Sequence, residues 1–154
     1  LFKASKVKIN GDLEMKFDES CIFCKIVNKQ ASSSIIYDDS TVLAFLDIRP
    51  LIEGHVLVIP KQHYVDVFDV PSDLLCRVQA VVKQVALAVK KATDADGISI
   101  IQQNGKAAGQ DIFHLHVHVV PRFNDQKLPA FADLKMVERE KLDQSALKIM
   151  KHLK

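Results

Sequence analysis

The sequence predicts an α+β domain, one antiparallel sheet with helices packed on it. Three observations carry this. Five short runs, Ser34 to Asp38, Thr41 to Asp47, His55 to Ile59, Ile98 to Gln102 and Phe113 to Val120, have strand composition and are bounded by turn residues or proline. Between the third and fourth runs, Leu74, Leu75, Val78, Val81, Val82, Val85 and Val89 recur at helical spacing. The chain is 154 residues long with 48% hydrophobic and 26% charged residues, the profile of one globular domain with its own core.

Taken in order, residues 1–20 mix four lysines with four acidic residues, show no sustained period and read as a mobile extension. No apolar stretch of a secretory signal interrupts them. Cys21 to Asn28 reads as a short helix with Ile22, Phe23 and Ile26 on one face. Asp38-Asp39-Ser40 is a hairpin turn between the first two strands. The third strand is expected to stop at Pro60 and the fifth at Pro121. Ser72 reads as the N-cap of the long helix, with Asp73 in its first turn. Cys76 falls inside the apolar pattern and reads as a buried, inert thiol. The domain is bounded at residues 21–123, and a 124–154 extension holds a charged amphipathic helix from about Met136 to Leu153.

Charge and cysteine content exclude several functions. Lys plus Arg is 21 and Asp plus Glu is 19, a formal charge of +2, so neither nucleic acid nor a membrane surface is an expected partner. No run approaches 18 apolar residues. Three cysteines argue against a secreted disulfide framework and for a reducing, cytoplasmic habitat.

The chemistry concentrates in Phe113-His114-Leu115-His116-Val117-His118-Val119-Val120. Period-2 alternation places the three imidazoles on one strand face and the apolar residues on the other. Successive histidines stand about 6.6 Å apart along a strand, so His114 and His118 are too distant to share one metal. Upstream, the stretch from Gln103 through Gly105 and Gly109 to Gln110 can bring backbone N–H groups and amides toward an anion.

With these motifs the chain resembles the histidine-triad (HIT) nucleotide-binding proteins, whose signature alternates three histidines with apolar residues. Cys21-Ile22-Phe23-Cys24-Lys25-Ile26, Ala44-Phe45-Leu46-Asp47-Ile48, Gly54-His55-Val56-Leu57-Val58-Ile59-Pro60-Lys61 and Asn104-Gly105 with Gly109-Gln110 fall in the same order. The resemblance implies a HIT-like fold with a five-stranded antiparallel sheet, one long and one short helix and a C-terminal helix. It also implies a homodimer that hydrolyses or transfers nucleoside monophosphates, here purine (AMP or GMP) derivatives, in the phosphoramidase-like (Hint-like) branch. His116 is then the residue that attacks the α-phosphorus, with His114 and His118 flanking it and His55 in the same polar cluster. Ile22, Phe23, Ile26, Phe45 and Ile48 would hold the nucleoside and Asp47 the ribose hydroxyls, while Gln103, Gly109, Gln110 and Asp111 border the phosphate. For Ile26 and Phe45, plain core packing competes with this role.

Two further expectations follow from the resemblance. Some family members bind structural zinc at the positions of Cys21, Cys24, His63 and His114, and two thiols with two imidazoles form a closed tetrahedral set. No Mg²⁺-binding carboxylate pair is visible, so no catalytic metal is expected. Asp111 departs from the family pattern, which commonly has Ser, Thr or Glu there; it either faces the leaving group, where it favours a cationic amine over a polyphosphate, or turns outward and caps the loop after Gly109. The rival readings are a dinucleoside polyphosphate hydrolase, favoured by Gln103 where the phosphoramidase branch usually has Asn, and a nucleotide-binding interaction module with little catalysis.

Overall fold

The computed structural model describes residues 5–7, 15–130 and 133–154. Two short strands, β1 (Ser5–Val7) and β2 (Met15–Phe17), pair antiparallel and precede helix α1 (Ile22–Val27). A five-stranded antiparallel sheet follows, built from β3 (Ile35–Asp38), β4 (Val42–Leu46), β5 (Val56–Pro60), β6 (Gly97–Gln102) and β7 (Val117–Arg122) in the order β3-β4-β5-β7-β6. Helix α2 (Ser72–Thr93) connects β5 to β6, and helix α3 (Arg139–Met150) closes the described chain. The fold class read from the sequence is the one observed. No helix among the described residues is long and apolar enough to cross a membrane.

Both faces of the sheet are buried at its centre, and strand alternation decides what each face carries. Val42, Ala44 and Leu46 of β4, Val56 and Val58 of β5, and Val117 and Val119 of β7 point to one side. There they meet Val78, Val81, Val82, Val85, Ala88 and Val89 of α2 and Leu142, Ala146 and Ile149 of α3. Removing each of the Val, Leu and Ile side chains from water contributes about 1.5–3 kcal/mol before entropy is counted, so this layer fixes the sheet. The intervening residues Leu43, Phe45, Leu57 and Ile59 point to the opposite side, where Phe17, Phe23, Cys24 and Ile26 cover them. His55, His116 and His118 share that second face by the same alternation.

Several local expectations are corrected. Part of the 1–20 extension belongs to the fold: Phe17 is buried, and the Lys16 carbonyl accepts the His63 N–H at 2.8 Å. The histidine strand begins at Val117 rather than Phe113. β5 ends in Pro60, which has no N–H to give β7, and the β5–β7 ladder accordingly stops at Val58↔Val117. Leu115 N–H instead donates to the Tyr64 carbonyl at 2.6 Å, and Phe113, expected on the apolar face, is 48% exposed. Pro121 does not end β7; it pairs with Ile98, beyond the last β5 partner, where one side of the strand has no ladder to satisfy.

The cap of α2 is Pro71, not Ser72, with no side-chain cap and Pro71 O accepting from Leu75 N–H at 2.9 Å. Cys76 is exposed, on the side of α2 away from the buried valines, so its reading as a buried thiol fails.

Candidate active site

Strand β7 brings His116 and His118 under α1, and the chain just before it carries His114. Each ring is oriented by a backbone or imidazole partner that also fixes its tautomer. His116 Nδ1 lies 2.6 Å from the His114 carbonyl oxygen, which can only accept, so Nδ1 carries the proton and Nε2 the lone pair. Leu51 N–H donates to His55 Nδ1 at 3.1 Å, which leaves the His55 proton on Nε2, and that Nε2–H donates to His118 Nδ1 at 2.9 Å. The His118 proton is therefore on Nε2. The His116 and His118 rings stand 4.9 Å apart in an edge-to-face arrangement.

Burial and crowding keep these imidazoles neutral. Desolvation, aided by neighbouring imidazoles, pulls His55 down to about 3 and His118 to about 4. Desolvation also lowers His116, against the opposing influence of its bond to the His114 carbonyl and of Asp111. Asp47 is pushed up to about 6 by burial, against the Arg49 N–H that donates to its Oδ1 at 2.9 Å. Its Oδ2 lies 3.6 Å from His55 Nδ1.

A cavity of about 440 Å³ opens beside these groups. Of the residues expected to bind nucleotide, Ile22, Phe23, Ile26, Phe45, Asp47, Ile48, Gln103, Gly109 and Asp111 line it together with His116 and His118. Ile26 and Phe45 are buried core residues as well as cavity walls. His55 stands one layer back, behind His118. Gln110 is not a wall: its buried side chain accepts from Gly105 N–H and donates to the Val65 and Ile112 carbonyls, which braces the loop.

The glycine loop is also not the anion nest suggested by its composition. Gly105 N–H is used by Gln110, and the N–H groups of Ala108, Gly109 and Gln110 donate back to Gly105 and Lys106 carbonyls. What Gly109 contributes is space at φ +92°: a side chain there would collide with the Gln103 amide. Gln103 and His118 border the cavity beside His116.

His114 belongs to a different group. Its Nε2–H donates to the Pro60 carbonyl at 2.8 Å, which turns the Nδ1 lone pair toward Cys21 Sγ at 3.5 Å and Cys24 Sγ at 3.6 Å. His63 Nδ1 lies 3.3 Å from Cys24 Sγ, and one ligand atom from each of the four residues falls within 4.8 Å of the others. The Cys24 thiol, hydrogen-bonded to Cys21, holds Cys21 below the usual thiol range, while that bond and burial push Cys24 up. Two sulfurs and two correctly oriented imidazole nitrogens, one with a carbonyl behind it, suit a tetrahedral Zn²⁺.

Sequence reasoning missed Ser32, Ser33, Leu46, Arg49, Leu57, Ile112, Leu134 and Arg139, which also line the cavity. Apart from Leu46 and Leu57, none sits in a local motif. Leu134 and Arg139 come from the C-terminal extension, which Val137 N–H ties to the Ile48 carbonyl at 2.9 Å.

The fold and site define a class: an antiparallel sheet that sets a cluster of buried histidines against a mostly apolar cavity of about 440 Å³. Residues 28–125 match the HIT domain model, and the chain belongs to that family, whose fold binds nucleotides. It is 41% identical over 123 residues to an uncharacterized HIT-like protein of Methanocaldococcus jannaschii, covering 79% of this chain and 95% of the relative. It is 39% identical over 102 residues to adenylylsulfatase HINT3 of Arabidopsis thaliana, covering 66% of this chain and 52% of that protein. The crystal structure of a Zn-bound histidine triad family protein from Mycobacterium smegmatis superposes with a TM-score of 0.77 at 40% identity, covering 86% of this chain and 92% of that one.

Proposed function

We propose that the protein is a hydrolase or transferase that cleaves purine nucleoside phosphoramidates at the α-phosphorus through a nucleotidyl-His116 intermediate. The observation that carries this reading is the His116 Nδ1–H bond to the His114 carbonyl, which reserves Nε2 as a neutral nucleophile. The Nε2 lone pair forms the P–N bond as the bond from phosphorus to the leaving amine breaks. The amine departs with that electron pair and takes a proton from water at the open mouth. The His114 carbonyl stabilises the positive charge that the ring acquires. His118 Nε2–H and the Gln103 amide donate to the phosphoryl oxygens, where charge accumulates in transfer. Water then attacks phosphorus, breaks the P–Nε2 bond and restores the lone pair, and the proton it sheds neutralises the hydroxide left when the amine was protonated.

Binding of the nucleoside draws on Ile22, Phe23, Ile26, Phe45 and Ile48, with Asp47 accepting from the ribose hydroxyls. Zinc on Cys21, Cys24, His63 and His114 would be structural, tying α1 to the His114 segment. The Mycobacterium relative, described as zinc-bound, supports this, as the relative named an adenylylsulfatase supports cleavage at a nucleotide phosphorus. The homodimer is proposed along the edge strand β6, where Ile100 and the neighbouring Leu87 of α2 are both more than half exposed. Cytoplasmic operation fits the unpaired thiols.

A single assay tests the substrate class. Offered adenosine phosphoramidate and a diadenosine polyphosphate together, the protein should release AMP faster from the first. The reverse order favours the polyphosphate hydrolase, for which Gln103 speaks. No turnover of either favours a binding module.

A further inference from the structure

The C-terminal extension places a cation at the far end of the cavity. Arg139, the first residue of α3, lines the cavity. Its Nη1 donates to Ser34 Oγ at 3.0 Å and its Nη2 to the Ser32 carbonyl at 3.2 Å. Ser34 is buried, and its hydroxyl donates to Asp143 Oδ1 at 2.6 Å, one turn along α3. The guanidinium is thus clamped between the entry to β3 and its own helix. Two of its five N–H groups are used in these bonds, and it has no acceptor to offer. Beside it, Ser33 also lines the cavity, and its buried Oγ has no hydrogen-bond partner among the described residues.

The strand order gives this end its meaning. His116 and His118 lie on or beside β7, His55 leads into β5, Asp47 follows β4, and Ser32 to Ser34 lead into β3. Across the sheet these run in one direction, over three strand spacings or about 14 Å. A nucleotide with its phosphorus at His116 and its ribose at Asp47 carries its base to Ser33 and Arg139.

A donor-only group discriminates between purines. Guanine presents O6 and N7, both acceptors, on one edge; adenine presents N7 and an amino donor. An Arg N–H meeting that amino group leaves both donors unsatisfied, whereas the 6-oxo edge accepts it. We infer that Arg139 selects the base and that the site takes 6-oxopurine nucleotides in preference to 6-aminopurine ones. This inference rests on the nucleotide reading proposed above.

Calorimetric titration of the intact protein with GMP, IMP and AMP tests it without requiring turnover. GMP and IMP should bind about tenfold more tightly than AMP, within the range that a guanidinium reading a guanine edge supplies. Arg139→Met should bring the three affinities to within about twofold of one another. Arg139→Lys, which keeps the charge but not the fork, should narrow the gap part-way, with thermal melts of both variants monitoring the docking of α3. Equal binding of AMP and GMP by the unmodified protein overturns the inference while leaving the nucleotide reading standing. So does an Arg139→Met variant that weakens all three ligands alike, because Arg139 then only anchors α3. IMP binding like AMP would assign the selection to the 2-amino group instead. Binding of none of the three would be the failure of the nucleotide reading itself and would take the inference with it.

Discussion

The Nδ1–H of His116 donates to the carbonyl oxygen of His114 at 2.6 Å, so a residue two positions upstream sets the tautomer of the His116 ring. Replacing His116 by Ala should lower turnover at least a thousandfold, about 4 kcal/mol or more of barrier. Affinity for a nucleoside monophosphate should survive, because the residues proposed to hold base and ribose lie elsewhere in the cavity. Single-turnover kinetics and calorimetry separate the two effects, and near-normal turnover would remove His116 from the mechanism.

The thiol and imidazole cluster should hold one zinc per chain. Metal analysis of protein never exposed to chelator should approach that stoichiometry, and Cys24→Ser should reduce it and lower the melting temperature. Less than a tenth of a zinc per chain in the unmodified protein would count against a structural metal site.

Asp111 borders the cavity with its side chain 65% exposed and 3.9 Å from Arg49. A carboxylate has no hydrogen to donate to a leaving group, and it repels polyphosphate while attracting an amine cation. Asp111→Ser should therefore raise kcat/KM for a diadenosine polyphosphate relative to a lysyl nucleoside phosphoramidate. The effect should be modest, because an exposed charge is screened. An unchanged ratio would show that Asp111 does not act on the leaving group.

Acidification should destabilise the fold through the site. His55 and His118 are held down to about 3 and about 4, so between pH 6.5 and about 4 the unfolded chain takes up protons that the native chain refuses. Stability therefore falls as pH falls through that window, by about 1.4 kcal/mol per pH unit for each net proton. Asp47, raised from 3.8 to about 6, works the other way because the native chain holds its proton, but one carboxyl opposes two imidazoles. Urea midpoints at pH 7 and pH 5 should show the loss. Nitrogen-15 NMR should find both rings neutral at pH 5.5, and an imidazolium at either position there would contradict the assignment.

The strands and the long helix were legible because alternation and helical spacing are local signals, and the triad was legible because its three histidines share one such pattern. Tertiary context decided the rest. Nothing near Phe113 announces that Pro60, more than fifty residues earlier, ends the ladder, and the grouping of His114 with Cys21, Cys24 and His63 is foreseen only through the family resemblance. Cys76 looked buried because its neighbours Leu75 and Val78 are apolar, yet it falls on the other side of α2. Two glycines in five residues suggested an anion nest, but Gln110 and the loop carbonyls occupy those N–H groups. Arg139 was invisible as a site residue because its partners, Ser32 and Ser34, lie more than a hundred positions away.

The central claim is that phosphorus passes through His116 Nε2. Acid quenching of the protein within one turnover of a purine nucleoside phosphoramidate, followed by peptide mass spectrometry, tests it most directly. The expected result is a nucleoside monophosphate adduct on the peptide containing His116, absent from His116→Ala. Turnover that proceeds with no adduct at any quench time, or with the adduct on another residue, would contradict it.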